Sequence, residues 1–309
     1  MFHASRKALV AWGLFWGLVA SGAQGASLLS VAFDDPLGQY AAYHDEIALS
    51  LQAAGAEWMS LLDLGADTTL TVQVGFLSMP TASGASASAS FDGSAAGISL
   101  YEQGAAAKLK TGIDVNGDDV DVRIYLGVDG YLQNELWFDP TPYNLMDDVV
   151  PTSQIDARSV FLHELGHALG FNGWRDDASG VLPASYASTY DALVGTLPGD
   201  SAGGLYFFGA AAQAVYGGPV PLTFGNYRHV GNAAGLVGDD LLLDLMNGVY
   251  FLQGRRYTVS ELDLAILRDV GLASAVATVP EPETRWQMAV GLLMLAAARR
   301  WRMSRMRPV

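Results

Sequence analysis

His163-Glu164-Leu165-Gly166-His167 sets the reading of this chain. Residues four apart share one helical face, so the two imidazoles can aim at a single ion. Glu164 stands about 100° round the helix from His163, within reach of a water that such an ion would hold. With 5 His in 309 residues, the pattern is expected by chance in only about two chains per thousand of this make-up. The alternative is a helix that carries two His for no metal. It is disfavoured because Val160, Phe161, Leu162, Leu165, Ala168 and Leu169 make the segment apolar, and unpaired polar groups are costly in such surroundings. Asp156 is a plausible N-cap, which predicts a helix over 157–169 that stops at Gly170.

The spacing His163-Glu164-x-x-His167-x-x-Gly170 resembles the zinc-helix signature of the metzincin metallopeptidases. The resemblance implies an α+β catalytic domain of two lobes, a mixed sheet with a zinc-binding helix and a C-terminal helix. It also implies a Zn2+ cofactor held by three residues, with Glu164 as the catalytic base. Gly173 stands where the short form of the signature has its third His. A branch similar to leishmanolysin carries a long insertion before that ligand, and the next His is His229, 62 residues after His167. His229 is therefore the expected third metal ligand beside His163 and His167. Asp176, Asp177 and Glu261 are the rivals. Leu245-Met246-Asn247-Gly248 resembles the Met-turn beneath the metal in this clan, although Met246 also fits simple core filling. The capped amphipathic pattern over 258–271 resembles the helix that follows the turn. Tyr227 and Tyr250 are both candidates to reach an oxyanion.

Both ends read as targeting segments. Arg6 and Lys7 precede an apolar run over 8–20 and small residues to Ala26, which predicts a signal peptide over 1–25. Pro280-Glu281-Pro282, an apolar run over 286–298 and five Arg between 299 and 307 resemble a PEP-CTERM sorting signal over 279–309. The resemblance implies export in a Gram-negative bacterium and a precursor tethered to the inner membrane by its C-terminal helix. An exosortase-type enzyme would then release it to the cell surface or extracellular matrix. A plain C-terminal anchor makes the same prediction of topology, with the basic tail cytoplasmic.

The span 26–278 is then the catalytic domain. It keeps nine basic and 30 acidic residues, a net charge of −21 against −15 for the whole chain. Such a surface repels nucleic acid and tolerates cations. With no Cys, stability must come from burial and bound metal. Periodicity predicts a helix over 45–62, a strand over 69–76 and a short helix over 102–110. Strands over 120–126 and 130–138 are expected to form a hairpin. The Ala/Ser/Gly-rich 83–97 reads as a flexible loop or a weakly patterned edge strand, and 172–232 as the insertion.

Asp114-Val115-Asn116-Gly117-Asp118-Asp119-Val120-Asp121 resembles the opening of a calcium loop, where alternate oxygens wrap the ion. Tyr125 stands where that loop has its Glu. An Asn-Gly turn with solvated acids explains the same residues, so Ca2+ is a second cofactor expectation beside it.

Two function classes follow. One is an exported zinc endopeptidase acting on protein or peptide substrates, with Glu164 activating a zinc-bound water. The other is a non-catalytic surface or matrix protein that keeps the scaffold around a structural metal. A fourth protein ligand would mark the second class, and an open position beside Glu164 the first.

Overall fold

A computed structural model describes residues 29–64, 68–144, 149–183, 185–199, 204–231 and 241–272. The signal-peptide and sorting-signal expectations fall outside these residues. No helix among those described is long and apolar enough to cross a membrane.

The chain is α+β with mixed sheets. Strand β1 (Leu29–Asp34), helix α1 (His44–Leu61) and β2 (Leu70–Leu77) form a β-α-β unit whose strands are parallel in register Leu29 to Leu70. Strands β3 (Ala82–Ser86), β4 (Ala89–Ala95) and β5 (Ile98–Gln103), helix α2 (Gly104–Thr111) and β6 (Val122–Gly127) follow. The main sheet has the order β1-β2-β6-β3, with β6 parallel to β2 and β3 antiparallel at the edge. The small-residue stretch 83–97 is thus mostly strand, not a flexible loop.

The expected hairpin after β6 does not form. Gly130 turns the chain at φ +107°, and a single π-helical turn occupies Tyr131–Glu135. Buried Tyr131, Leu132 and Leu136, with outward Gln133, Asn134 and Glu135, fit a helical turn and not alternation. Only β7 (Leu136–Trp137) is extended, and it pairs in parallel with β8 (Ile155–Asp156). Strand β6 also starts later than 120, because the Asp121 carboxylate accepts from Thr71 N and Oγ1 at 2.7 and 2.8 Å.

That same carboxylate bears on the calcium expectation. Lys108 Nζ lies 2.6 Å from Asp114 and 2.8 Å from Asp121, so an ammonium fills the space between the acids. Asn116 donates its side chain to the Asp119 and Val120 carbonyls. Gly117 takes φ +65°. These contacts are those of the turn.

Helix α3 (Ala157–Leu169) matches the expected bounds, with Asp156 as its N-cap and Gly170 at its end. All thirteen of its residues are buried, which accounts for apolar side chains all round it. The described residues of 172–231 are sparse in regular structure. Strands β9 (Tyr186–Ser188), β10 (Val194–Gly195), β11 (Tyr206–Phe207), helix α4 (Ala210–Tyr216) and β12 (Val220–Pro221) supply short elements. Strand β9 extends β4 and β5 into a second sheet, and β10, β11 and β12 form a third. Helix α5 (Glu261–Asp269) closes the described chain, with a capping box between Ser260 and Asp263.

Candidate metal centre

Helix α3 is fixed at its start, middle and end. The Asp156 carboxylate accepts from Ser159 N at 3.1 Å and pairs with Arg256, which also pairs with the fully buried Asp139. Trp58 of α1 donates its indole N–H to the Leu162 carbonyl at 2.9 Å. Met246 lies against Gly166, where a Cβ would come within 2.7 Å of its sulfur. Between His163 and His167, only a glycine admits that side chain so closely.

His163, His167 and His229 come together. Their Nε2 atoms lie 3.0, 3.1 and 3.0 Å apart in the three pairs. Nitrogens at 2.0–2.1 Å from one ion in tetrahedral array are about 3.3–3.4 Å apart, so the trio is slightly tighter than ideal and fits a metal. The tautomers point the same way. His163 Nδ1 faces the Leu245 carbonyl at 2.8 Å and His167 Nδ1 faces the Phe171 carbonyl at 2.6 Å. A ring nitrogen facing a carbonyl carries the proton, which leaves each Nε2 as a lone pair. His229 differs: its Nδ1 is buried and finds no hydrogen-bond partner among the described residues, while its Nε2 faces the other two. Lone pairs aimed at one point from three sides repel unless a cation lies among them.

Electrostatics keep the rings neutral. Burial pushes the His163 pKa down to about 4, against a smaller opposing effect of the Leu245 carbonyl. Burial, then His163, lowers His167; burial, then His167 and His163, lowers His229. Neutral imidazole is the form that binds metal. Glu164 is pushed up to about 8 by burial, with the Gly84 N–H opposing the shift. A cation beside it would favour the carboxylate.

His229 is placed by backbone pairing over long range. Thr223 N donates to its carbonyl at 3.0 Å, and Val230 N donates to the Met246 carbonyl at 2.9 Å. A Cβ on Gly248 would come within 2.7 Å of His229 Cβ and 2.6 Å of Thr223 Oγ1. The 245–248 turn therefore touches the site three times: through the Leu245 carbonyl, the Met246 side chain and bare Gly248.

The rival ligands are elsewhere. Asp176 accepts from Ser179 N and Oγ, and Asp177 forms an exposed ion pair with Arg228 at 2.8 Å. Glu261 is exposed at the start of α5. Among the described residues the three His are the one cluster of potential ligands, and no such cluster forms at Asp114–Asp121. Gly173 could not carry a ligand, since its Cβ would fall on the buried Asp191 carboxylate.

The His trio and Glu164 open on a cleft of about 850 Å³, walled by β3 on one side and by residues 247–251 on another. Tyr250 lines it and is 57% exposed, whereas Tyr227 is buried and packs on Phe224. Several cleft residues give little sign in the sequence. Gly84 brings β3 onto the helix, where a Cβ would meet Glu164 Cβ at 2.6 Å; the only hint is the small-residue composition of 83–97. Tyr131, Glu135 and Trp174 also line the cleft, and no motif marks them. No family model, curated protein or solved structure matches the chain.

Proposed function

We propose that the protein is an exported zinc-dependent endopeptidase of metzincin type, in which His163, His167 and His229 hold the metal and Glu164 is the catalytic base. The observation that carries this reading is the convergence of three Nε2 lone pairs within 3.1 Å beside a buried glutamate in an open cleft. No fourth His, Cys, Asp or Glu joins the three among the described residues, as a site with an open position requires. Zinc suits three imidazole nitrogens, and when bound it polarises a carbonyl and makes water more acidic.

The chain's own groups supply the proton transfers. Glu164 takes a proton from the attacking water as its oxygen bonds to the peptide carbon. It then gives that proton to the amine nitrogen as the C–N bond breaks. Glu164 lines the cleft beside the three His, with Gly84 of β3 packed closely against it. The Leu245 and Phe171 carbonyls hold the two helix His in the metal-binding tautomer.

Zinc content and casein cleavage, measured on wild type and Glu164→Gln, test the reading. The expected result is about one zinc per chain in both, with cleavage slowed by about 10²–10⁴-fold in the variant. Zinc-loaded wild type that leaves casein intact would favour a structural metal instead, and a chain that binds no zinc would overturn both.

A further inference from the structure

Trp174, which lines the cleft beside the His trio, is part of a chain of aromatic rings that the proposed chemistry does not use. Phe91 on β4, Tyr101 on β5 and Tyr186 on β9 share one face of the second sheet. Phe91 is registered with Tyr101, and Tyr186 with Ser99, two residues before Tyr101. Alternate residues of a strand point the same way. Trp174, five residues past the end of α3, packs over that face, with ring centroids 6.0 Å from Tyr101 and 5.4 Å from Tyr186. Phe91 lies 5.7 Å from Tyr101. The outer members stay in water, Phe91 at 61% and Tyr186 at 43% exposure, while Trp174 and Tyr101 are half-buried. Trp174 lines the same cleft as His167, His229 and β3.

The position of Trp174 is built, not incidental. Its backbone N–H donates to the buried Asp191 carboxylate at 2.7 Å. Arg175, next in the chain, pairs with Asp191 and donates to the Gly180 and Val194 carbonyls. Gly173 admits the Asp191 carboxylate against the backbone. The backbone at Trp174 is thus fixed on both sides, and its ring lines the cleft.

We infer that Trp174 and Tyr101, flanked by Phe91 and Tyr186, form a substrate subsite that selects polypeptides carrying an aromatic side chain a few residues from the cleaved bond. The inference rests on the endopeptidase reading and names the substrate class of that site. The rings stand edge to face, at 72°, 71° and 69° to one another. Edge-to-face packing accepts a further aromatic ring in the same manner. The net charge of −21 over 26–278 disfavours acidic polymers.

Peptide binding to zinc-loaded Glu164→Gln protein separates this inference from the catalytic one. The probes are fluorescent Gly/Ala/Ser decapeptides with one Phe placed in turn at each position, read by polarisation. At one or two adjacent positions Phe is expected to tighten binding at least about tenfold over the all-small peptide, the scale of one well-packed aromatic contact. Trp174→Ala in the same background should reduce that preference to twofold or less. Phe91→Ser, on an exposed position that threatens no core packing, should reduce it partly, with zinc content unchanged in both variants. A flat Phe scan, or a preference that survives both substitutions, overturns the subsite. Displacement of the peptides by a neutral oligosaccharide would overturn it in favour of a glycan site. If wild type binds the Phe peptides with the expected preference yet cleaves none, the subsite stands and the endopeptidase reading falls.

Discussion

Helix α3 and the segment Thr223–Gly231 deliver the same kind of ligand by opposite means. The helix places His163 and His167 through its own repeat, so their relative position follows from four residues of spacing. The segment carrying His229 belongs to no helix and to no strand beyond isolated bridges to Leu222 and Asn247. Its imidazole is aimed by Thr223, Pro221 and Met246 backbone groups, drawn from both sides of it in the chain. One half of the site is local geometry; the other exists only if separate segments have already packed. The 245–248 turn touches both halves, and matched substitutions there can tell them apart.

Gly248→Ala should have the largest effect. Its Cβ meets His229 Cβ and the Thr223 side chain, and neither can rotate away from a Cβ-level contact. Overpacking of this kind costs about 1–3 kcal/mol. Shifting a ligand's support weakens metal binding by about 10–100-fold. A competition titration with a zinc chelator checks it; unchanged affinity would mean that the His229 segment is not held against the turn as described.

Gly166→Ala probes the helical half, and its effect should be smaller. The new Cβ meets the Met246 sulfur, the far part of a flexible side chain that can repack. Replacing Gly inside a helix also stabilises by about 0.5–1 kcal/mol. Urea unfolding should therefore move by no more than about 1 kcal/mol in either direction, with zinc retained. A zinc loss as large as that of Gly248→Ala would show that the floor under the helix is as rigid as the wall beside His229.

The smallest effect is expected from Asp263→Asn, which addresses how the turn is tied to α5. Asp263 is fully buried, and burial, followed by the neighbouring Asp244, raises its pKa well above 3.8. Ser260 bridges the two, donating Oγ to Asp244 at 2.9 Å and N to Asp263 at 2.8 Å. Asp244 in turn accepts from Met246 N at 3.0 Å. A carboxyl whose folded pKa is raised binds its proton more tightly in the folded state. Its stabilisation is complete below the unfolded value near 3.8 and is lost as pH rises through the folded value. Asn cannot ionise and can still accept from Ser260. The variant should show a flatter decline of stability from pH 4 upward, read by urea unfolding at successive pH values. Parallel curves would mean that Asp263 does not hold its proton more tightly in the folded state.

How much of this was legible follows the range of the forces involved. Asp156, Gly170 and the apolar side chains between them reproduce α3 residue for residue, because caps and periodicity act within a few positions. The His229 assignment needed a resemblance to choose it over Asp176, Asp177 and Glu261, and long-range pairing in the fold brings it to the other two. The hairpin expected at 130–138 failed for a local reason. A left-handed Gly130 and helical spacing of Tyr131, Leu132 and Leu136 outweighed a β-rich composition. Gly84 was marked only by the small-residue composition around it and Trp174 by no pattern, since their importance lies in what packs against them.

By itself, then, the sequence determined helix α3 with its two His and its Glu, and the capped helix α5, because each is set by neighbours within one or two turns. Tertiary structure alone decided that β3 lies on Glu164, that His229 closes the triangle and that Trp174 stands at the cleft. Those placements depend on a fold tied by contacts between distant segments, such as Trp58 with Leu162 and Glu57 with Val259, and no local pattern encodes which distant surfaces will meet.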